Sequence, residues 1–197
     1  MRVAEIDTEL VASNPWWRDP ETWEEFDVQL RAARQSPLAY DPRPLRGVTA
    51  GGLYILRGPR RVGKSTALKQ LIAERLGNGS PPRSILHVSV EGRSAKDLVD
   101  IVRRGAGRWL EGEPGSRLWV IDEITSVKGA WPEHIKRLRD SDPAFSADTV
   151  ILTGSSAAKF DEATKLLAGR RNADHSDRTL FQMGFTEVAR ALGVELP

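Results

Sequence analysis

Between Leu53 and Gly77 the chain passes from a mostly apolar run, LYILR, through Gly58-Pro59-Arg60-Arg61-Val62-Gly63-Lys64-Ser65 into an amphipathic stretch. The octet fits G-x-x-x-x-G-K-[ST] without mismatch, and Thr66 follows it. This arrangement requires a strand, a tight glycine-bearing loop and a helix, in that order. Gly58 and Gly63 let the backbone curl so that several N–H groups point inward as an anion nest. A helix opening at Lys64 adds its positive end and its unpaired amides. Lys64 then reaches the β- and γ-phosphates of a nucleotide, and the Ser65 hydroxyl takes one coordination position on Mg²⁺. A chance match in a chain of this length arises on the order of once in a hundred. The strand and helix on either side make chance rarer still.

The rest of the chain repeats this alternation. Strands are predicted at Leu53–Arg57, Ser84–Val90, Arg117–Ile121, Thr149–Gly154 and Arg178–Met183. Helices are predicted at Lys64–Leu76, Ala95–Leu110, Trp131–Arg139 (opened by Pro132) and Ser156–Leu167, with a last short one near the end. Strands apolar on both faces and separated by helices mean an α/β fold, a mostly parallel five-stranded sheet between two helical layers. Residues 1–47 read as an arm: Asn14-Pro-Trp-Trp17, a helix over Glu21–Arg34, then a Pro-rich segment. Asp19 before Pro20 suggests that helix's N-cap, and Trp23, Phe26 and Leu30 its buried stripe. Residues 48–197 form the core domain.

Leu118-Trp-Val-Ile-Asp-Glu123 ends a buried strand in two carboxylates. An Asp at the carboxyl edge of such a sheet lies beside the phosphate loop, so Asp122 is the second Mg²⁺ anchor. Glu123 is then placed to polarise the attacking water as general base. TVILTGSS at Thr149–Ser156 resembles the sensor strand of additional-strand P-loop ATPases, which implies that Thr153 or Ser155 hydrogen-bonds the γ-phosphate or the lytic water; the other reading is simply turn and cap residues.

Composition removes other chemistries. The sequence has 197 residues, 40% hydrophobic and 28% charged, which excludes whole-chain disorder. It has no cysteine, hence no disulfide, thiolate metal site or cysteine nucleophile, and three histidines without partners at ligand spacing. The net charge of +2 permits nucleic acid or an anionic surface without implying either. No apolar run approaches the ~18 residues of a membrane span, and no signal peptide is evident, so a soluble cytoplasmic protein is expected.

One strand, Ser84–Val90, intervenes between the phosphate-loop strand and the Asp122 strand. In this the order resembles the AAA and RecA types of P-loop ATPase rather than the small-molecule kinases. Several blocks together resemble one bacterial and archaeal group of AAA-type ATPases, which carries a C-terminal domain of unknown function. These blocks are NPWW, YILRGPRRVGKST, WVIDEI, WPEHIKRLRD, LTGSS, LAGR and FTEVAR. The resemblance implies ATP as the nucleotide, slow hydrolysis to ADP and phosphate, and an AAA-like or STAND-like sheet. Where this chain has Gln182-Met-Gly-Phe185 the group tends to have Pro-Leu-Ser-Phe. Its members also run on past the position of Pro197 into a helical lid and the C-terminal domain, through which a protein partner would be engaged.

The resemblance also suggests Arg170 as an arginine finger toward the γ-phosphate of a neighbouring copy, in a homo-oligomer. The other reading of Arg170 and Arg171 is a solvated helix end. Arg60 and Arg61 either touch phosphate or a partner or face water. Trp16, Trp17 and Trp23 are read as core in preference to an adenine platform. Two rivals to an ATPase stay open: an ATP-gated switch with negligible turnover, and a DNA-engaged ATPase. The second is disfavoured by near-neutral charge and the lack of a recognisable helix-turn-helix.

Overall fold

The computed structural model describes residues 3–38 and 45–194. Strands β1 (Leu53–Arg57), β2 (Ile85–Ser89), β3 (Leu118–Asp122), β4 (Thr149–Thr153) and β5 (Asp177–Thr179) form one parallel sheet in the order β2-β3-β4-β1-β5. Every residue of β3 and β4 is buried, as interior strands covered on both faces must be. The arm contributes α1 (Val3–Ser13), α2 (Trp23–Phe26) and α3 (Val28–Gln35). The core helices are α4 (Lys64–Gly77), α5 (Ala95–Arg104), α6 (Trp131–Ser141), α7 (Pro143–Ala147), α8 (Ala157–Leu167) and α9 (Phe185–Ala191). Right-handed crossovers put α4 on one face, with α3 packed on it, and the mutually packed α5, α6 and α8 on the other. The architecture is three-layer α/β/α, the P-loop NTPase fold.

The NPWW block covers the free edge of β2. Asn14 acts as a surrogate strand: its Oδ1 accepts the His87 N–H at 2.6 Å and its Nδ2 donates to the His87 carbonyl at 2.8 Å. Both indole N–H groups, of Trp16 and Trp17, donate to the Ile85 carbonyl, at 3.2 and 2.9 Å. An exposed strand edge invites pairing with other chains, and these contacts occupy it at Ile85 and His87. The three tryptophans are core residues: Trp16 and Trp23 meet edge to face, and Trp17 stacks on Trp109.

Several sequence expectations are corrected. The helix over Glu21–Arg34 is broken at Asp27, whose Oδ1 accepts the N–H groups of Gln29 and Leu30 and so caps a new helix. The break swings Phe26 out to 74% exposure, leaving Trp23 and Leu30 as the buried pair. Asp19 caps no helix; its carboxylate takes the backbone N–H and hydroxyl of Thr22 in the preceding turn. Helix α1 was not anticipated, because only Ile6 and Leu10 mark its buried face. The helix after β2 keeps α-geometry to Arg104 and finishes as a π-turn over Gly105–Trp109. The last strand stops at Thr179 rather than Met183, because its partner β1 ends at Arg57; the Leu180 N–H to the Arg57 carbonyl is the final bond. The Pro-rich segment of the arm lies partly outside the described residues, which omit 39–44.

Candidate active site

The strand order brings the carboxyl ends of β3, β4 and β1 side by side at one edge of the sheet. The loop after β1 begins at Gly58, where an added Cβ would stand 2.4 Å from the Leu180 carbonyl oxygen. Only glycine lets the strand leave the sheet beneath that backbone. Gly63, at φ 92°, is the N-cap of α4, a left-handed turn that aims the first amides of the helix into the loop. Lys64 is buried, and its Nζ is held over the loop by the carbonyls of Gly58 and Pro59 at 2.9 and 2.8 Å. Burial pulls its pKa below the usual lysine value, opposed by the charges of Glu123 and Asp122.

Ser65 Oγ donates to Asp122 Oδ2 at 2.8 Å, across fifty-seven residues of sequence. The other carboxylate oxygen accepts the Glu123 N–H at 2.8 Å. Glu123 itself adopts φ 56°, a left-handed conformation rare for a residue with a Cβ. Its carboxyl is pushed above the ordinary glutamate range, first by burial and then by the neighbouring Asp122 charge.

Arg60, Arg61, Gly63, Lys64, Ser65, Thr66 and Glu123 all line one hollow of about 510 Å³. Two residues that sequence reading missed line it too. Glu91 directly follows the apolar run of β2, the same signal that picked out Asp122. Gln29 comes from α3 in the arm, and no sequence pattern marks it. An adjoining, more apolar hollow of about 440 Å³ is walled by Ala32, Ala33 and Leu38 on the arm side, Val62 of the loop, and Gln182 and Met183. Among the described residues no group of three or more His, Cys, Asp or Glu side chains is arranged to hold a metal alone. The local donor set is one hydroxyl and one carboxylate, hard oxygens that suit Mg²⁺ completed by phosphates and water.

Thr153 follows Leu152, the partner of Ile121, so it stands beside Asp122 and projects from the same face of the sheet. Its hydroxyl is buried and has no hydrogen-bond partner among the described residues. Ser155 lies two residues on, with its N–H donated to Thr125 Oγ1.

Residues 51–189 match a family described as AAA domain. The chain belongs to the AAA domain family. No curated protein matches it. Among solved structures, the ORC2 protein of Aeropyrum pernix in its ADP form is similar over 93% of this chain and 50% of that one, with 12% identity and a TM-score of 0.47. The same protein in ADPNP-ADP complexes is similar over 84% and 51%, with 15% identity and a TM-score of 0.43. Cdc6p of Pyrobaculum aerophilum is similar over 83% and 46%, with 11% identity and a TM-score of 0.45. The chain thus spans about half the length of these solved structures.

In this AAA domain the two adjacent arginines sit far from the loop. Helix α6 starts at the loop edge of the sheet and runs back to the opposite edge, where Arg170 meets Asp140 through Nε and Nη2 at 2.7 and 3.0 Å. Arg170 therefore cannot approach the phosphate loop of its own chain. Arg171 is buried and bonded to Ser176, Asp177 and Thr164. The three arm tryptophans also sit at the start of β2, away from the loop. No helix among the described residues is long and apolar enough to cross a membrane.

Proposed function

We propose that this AAA domain binds Mg·ATP and hydrolyses it to ADP and phosphate by direct attack of water. The observation that carries the reading is the Ser65–Asp122 hydrogen bond beside Lys64, with Glu123 in the same hollow. The loop amides and Lys64 hold the β- and γ-phosphates, with Arg60 and Arg61 at the rim. Ser65 and Asp122 would hold Mg²⁺, which when bound neutralises phosphate charge and so stabilises the transition state. Glu123 takes the proton of the attacking water as its oxygen bonds to the γ-phosphorus and the bond to the ADP oxygen breaks. The orphaned hydroxyl beside Asp122 favours Thr153 over Ser155 as the contact to the γ-phosphate.

The apolar hollow against α3, lined by Ala32, Ala33 and Met183, suits the nucleotide's adenine. ATP rather than GTP rests on the family resemblance, and no NKxD motif is present to read guanine. Arg170 acts, in this reading, on the nucleotide of a second copy after leaving Asp140. Rate per molecule then rises with protein concentration.

Titration with a fluorescent ATP analogue tests binding directly. Saturable binding that weakens in EDTA and is lost in Lys64→Ala is expected. Equal signal from wild type and Lys64→Ala would overturn the reading.

A further inference from the structure

The turn Ile124–Ser126, just after Glu123, ties the loop after β2 and the loop after β4 to the end of β3 at the carboxyl edge of the sheet. Ser126 Oγ donates to the Glu123 carbonyl at 2.7 Å and accepts the Gly92 N–H, from the loop after β2, at 3.0 Å. Thr125, 4% exposed, faces the other way. Its Oγ1 accepts the N–H groups of Ser155 and Ser156, at 3.2 and 3.4 Å, in the loop after β4. Lys159 of α8 returns to the Thr125 carbonyl at 2.5 Å. Gly154 completes the fit, since a Cβ there would lie 2.4 Å from Thr125 Oγ1 and 2.7 Å from its Cγ2.

The sheet alone does not account for these bonds. The last paired residues of β3 and β4 are Ile121 and Leu152, the strands end one residue later at Asp122 and Thr153, and beyond them strand pairing no longer sets where each loop lies. Glu123 sits in a left-handed conformation that persists only where the surrounding structure enforces it. A β-branched side chain has few rotamers, so the Thr125 hydroxyl, accepting two successive N–H groups of the loop after β4, is a stiff tie.

We infer that Thr125 is a positioning residue that locks the Glu123 turn to the loop Gly154–Ser156, so that a γ-phosphate contact at the end of β4 and the placement of the base Glu123 are set together. Thr125 touches no reacting atom. The inference rests on the hydrolysis proposed above for the kinetic part of its test, and not for the structural part.

The test compares wild type, Thr125→Val and Thr125→Ser, with Glu123→Gln and Lys64→Ala as controls. Phosphate release, Mg·ATP affinity, and amide hydrogen exchange with and without a non-hydrolysable ATP analogue are measured on each. Thr125→Val is expected to lower kcat at least tenfold with affinity within twofold of wild type. In wild type the analogue slows exchange at residues 123–126 and 154–157 together; in Thr125→Val the response at 123–126 is lost. Thr125→Ser restores both. A Thr125→Val enzyme with kcat within twofold of wild type, or with affinity falling as far as kcat, overturns the inference. If wild type releases no phosphate above Glu123→Gln, the hydrolysis reading fails and exchange alone decides. Retained response at 123–126 in Thr125→Val, or wild-type segments that do not respond together, then overturns the role of Thr125.

Discussion

The Ser65 hydroxyl and the Asp122 carboxylate meet at 2.8 Å, joining the first turn of α4 to the last residue of β3. Two hard oxygens brought together this way mark where a divalent ion would sit against bound phosphates. Ser65→Ala and Asp122→Asn each remove one of them. Calorimetric titration should show Mg²⁺-dependent nucleotide affinity falling about tenfold or more, roughly 1.4 kcal/mol. Affinity in EDTA should change little. An equal loss with and without the ion would mean these residues only hold the loop.

Glu123 gives a pH-dependent stability prediction. Its carboxyl titrates above the ordinary value because burial and Asp122 disfavour its charge. Above both its unfolded and folded pKa the charged group costs the fold; below the ordinary glutamate range the cost vanishes. Glu123→Gln should therefore melt higher than wild type at pH 7 to 8, without nucleotide, with the gain shrinking as pH falls through the raised folded pKa toward the ordinary glutamate value and gone below it. Parallel melting curves from pH 8 to 4 check this. A Gln variant that melts lower at pH 8 contradicts it.

Asp148 is wholly buried and accepts from Arg117 Nε at 2.9 Å, Trp119 Nε1 at 2.8 Å and the Gly115 N–H at 2.8 Å. Removing one member of a buried pair strands the other charge. Asp148→Ala should cost about 3–5 kcal/mol in urea unfolding. Because the pair lies at the opposite edge of the sheet from the loop, nucleotide affinity per folded molecule should stay at the wild-type level.

The arm carries a second acid-sensitive contact. Arg104 donates to both oxygens of Asp7, at 2.7 and 2.5 Å, and Trp109 Nε1 donates at 2.7 Å. The Arg104 hydrogen bonds, ahead of the other causes, lower the Asp7 pKa from 3.8 to about 2. The stabilisation is thus present above pH 3.8 and lost as pH falls toward 2. Asp7→Asn should lower the melting temperature at pH 7 and converge with wild type near pH 2. A constant gap across that range would show that the contact is not ionic.

Much of this was legible because parallel strands buried on both faces write themselves as short apolar runs. Four of the five strands fall within a residue or so of their predicted ends. The fifth does not, since β5 ends where β1 stops pairing, and no local pattern carries that information. The break at Asp27 was hidden because an Asp on a helix surface looks the same as one capping a new helix. Within the site, Lys64, Ser65, Asp122 and Glu123 stood out because each sits at a strand end or in a fixed motif. Glu91 carried the same strand-end signal as Asp122, whereas Gln29 and Thr125 join them only through folding, from the arm and the turn after β3. NPWW drew attention by its tryptophans, whose indoles bond Ile85, but Asn14 shares the edge cover with its two bonds to His87.

Phosphate release from Mg·ATP, measured across a wide range of protein concentrations, tests the central claim most directly, with Lys64→Ala and Glu123→Gln alongside. The account predicts release by wild type that both substitutions abolish, with nucleotide binding retained in Glu123→Gln. Specific activity should rise with concentration and fall in Arg170→Ala. Release indistinguishable from Lys64→Ala at every concentration, under conditions where wild type binds Mg·ATP, would contradict it and leave a nucleotide-binding domain that does not turn over.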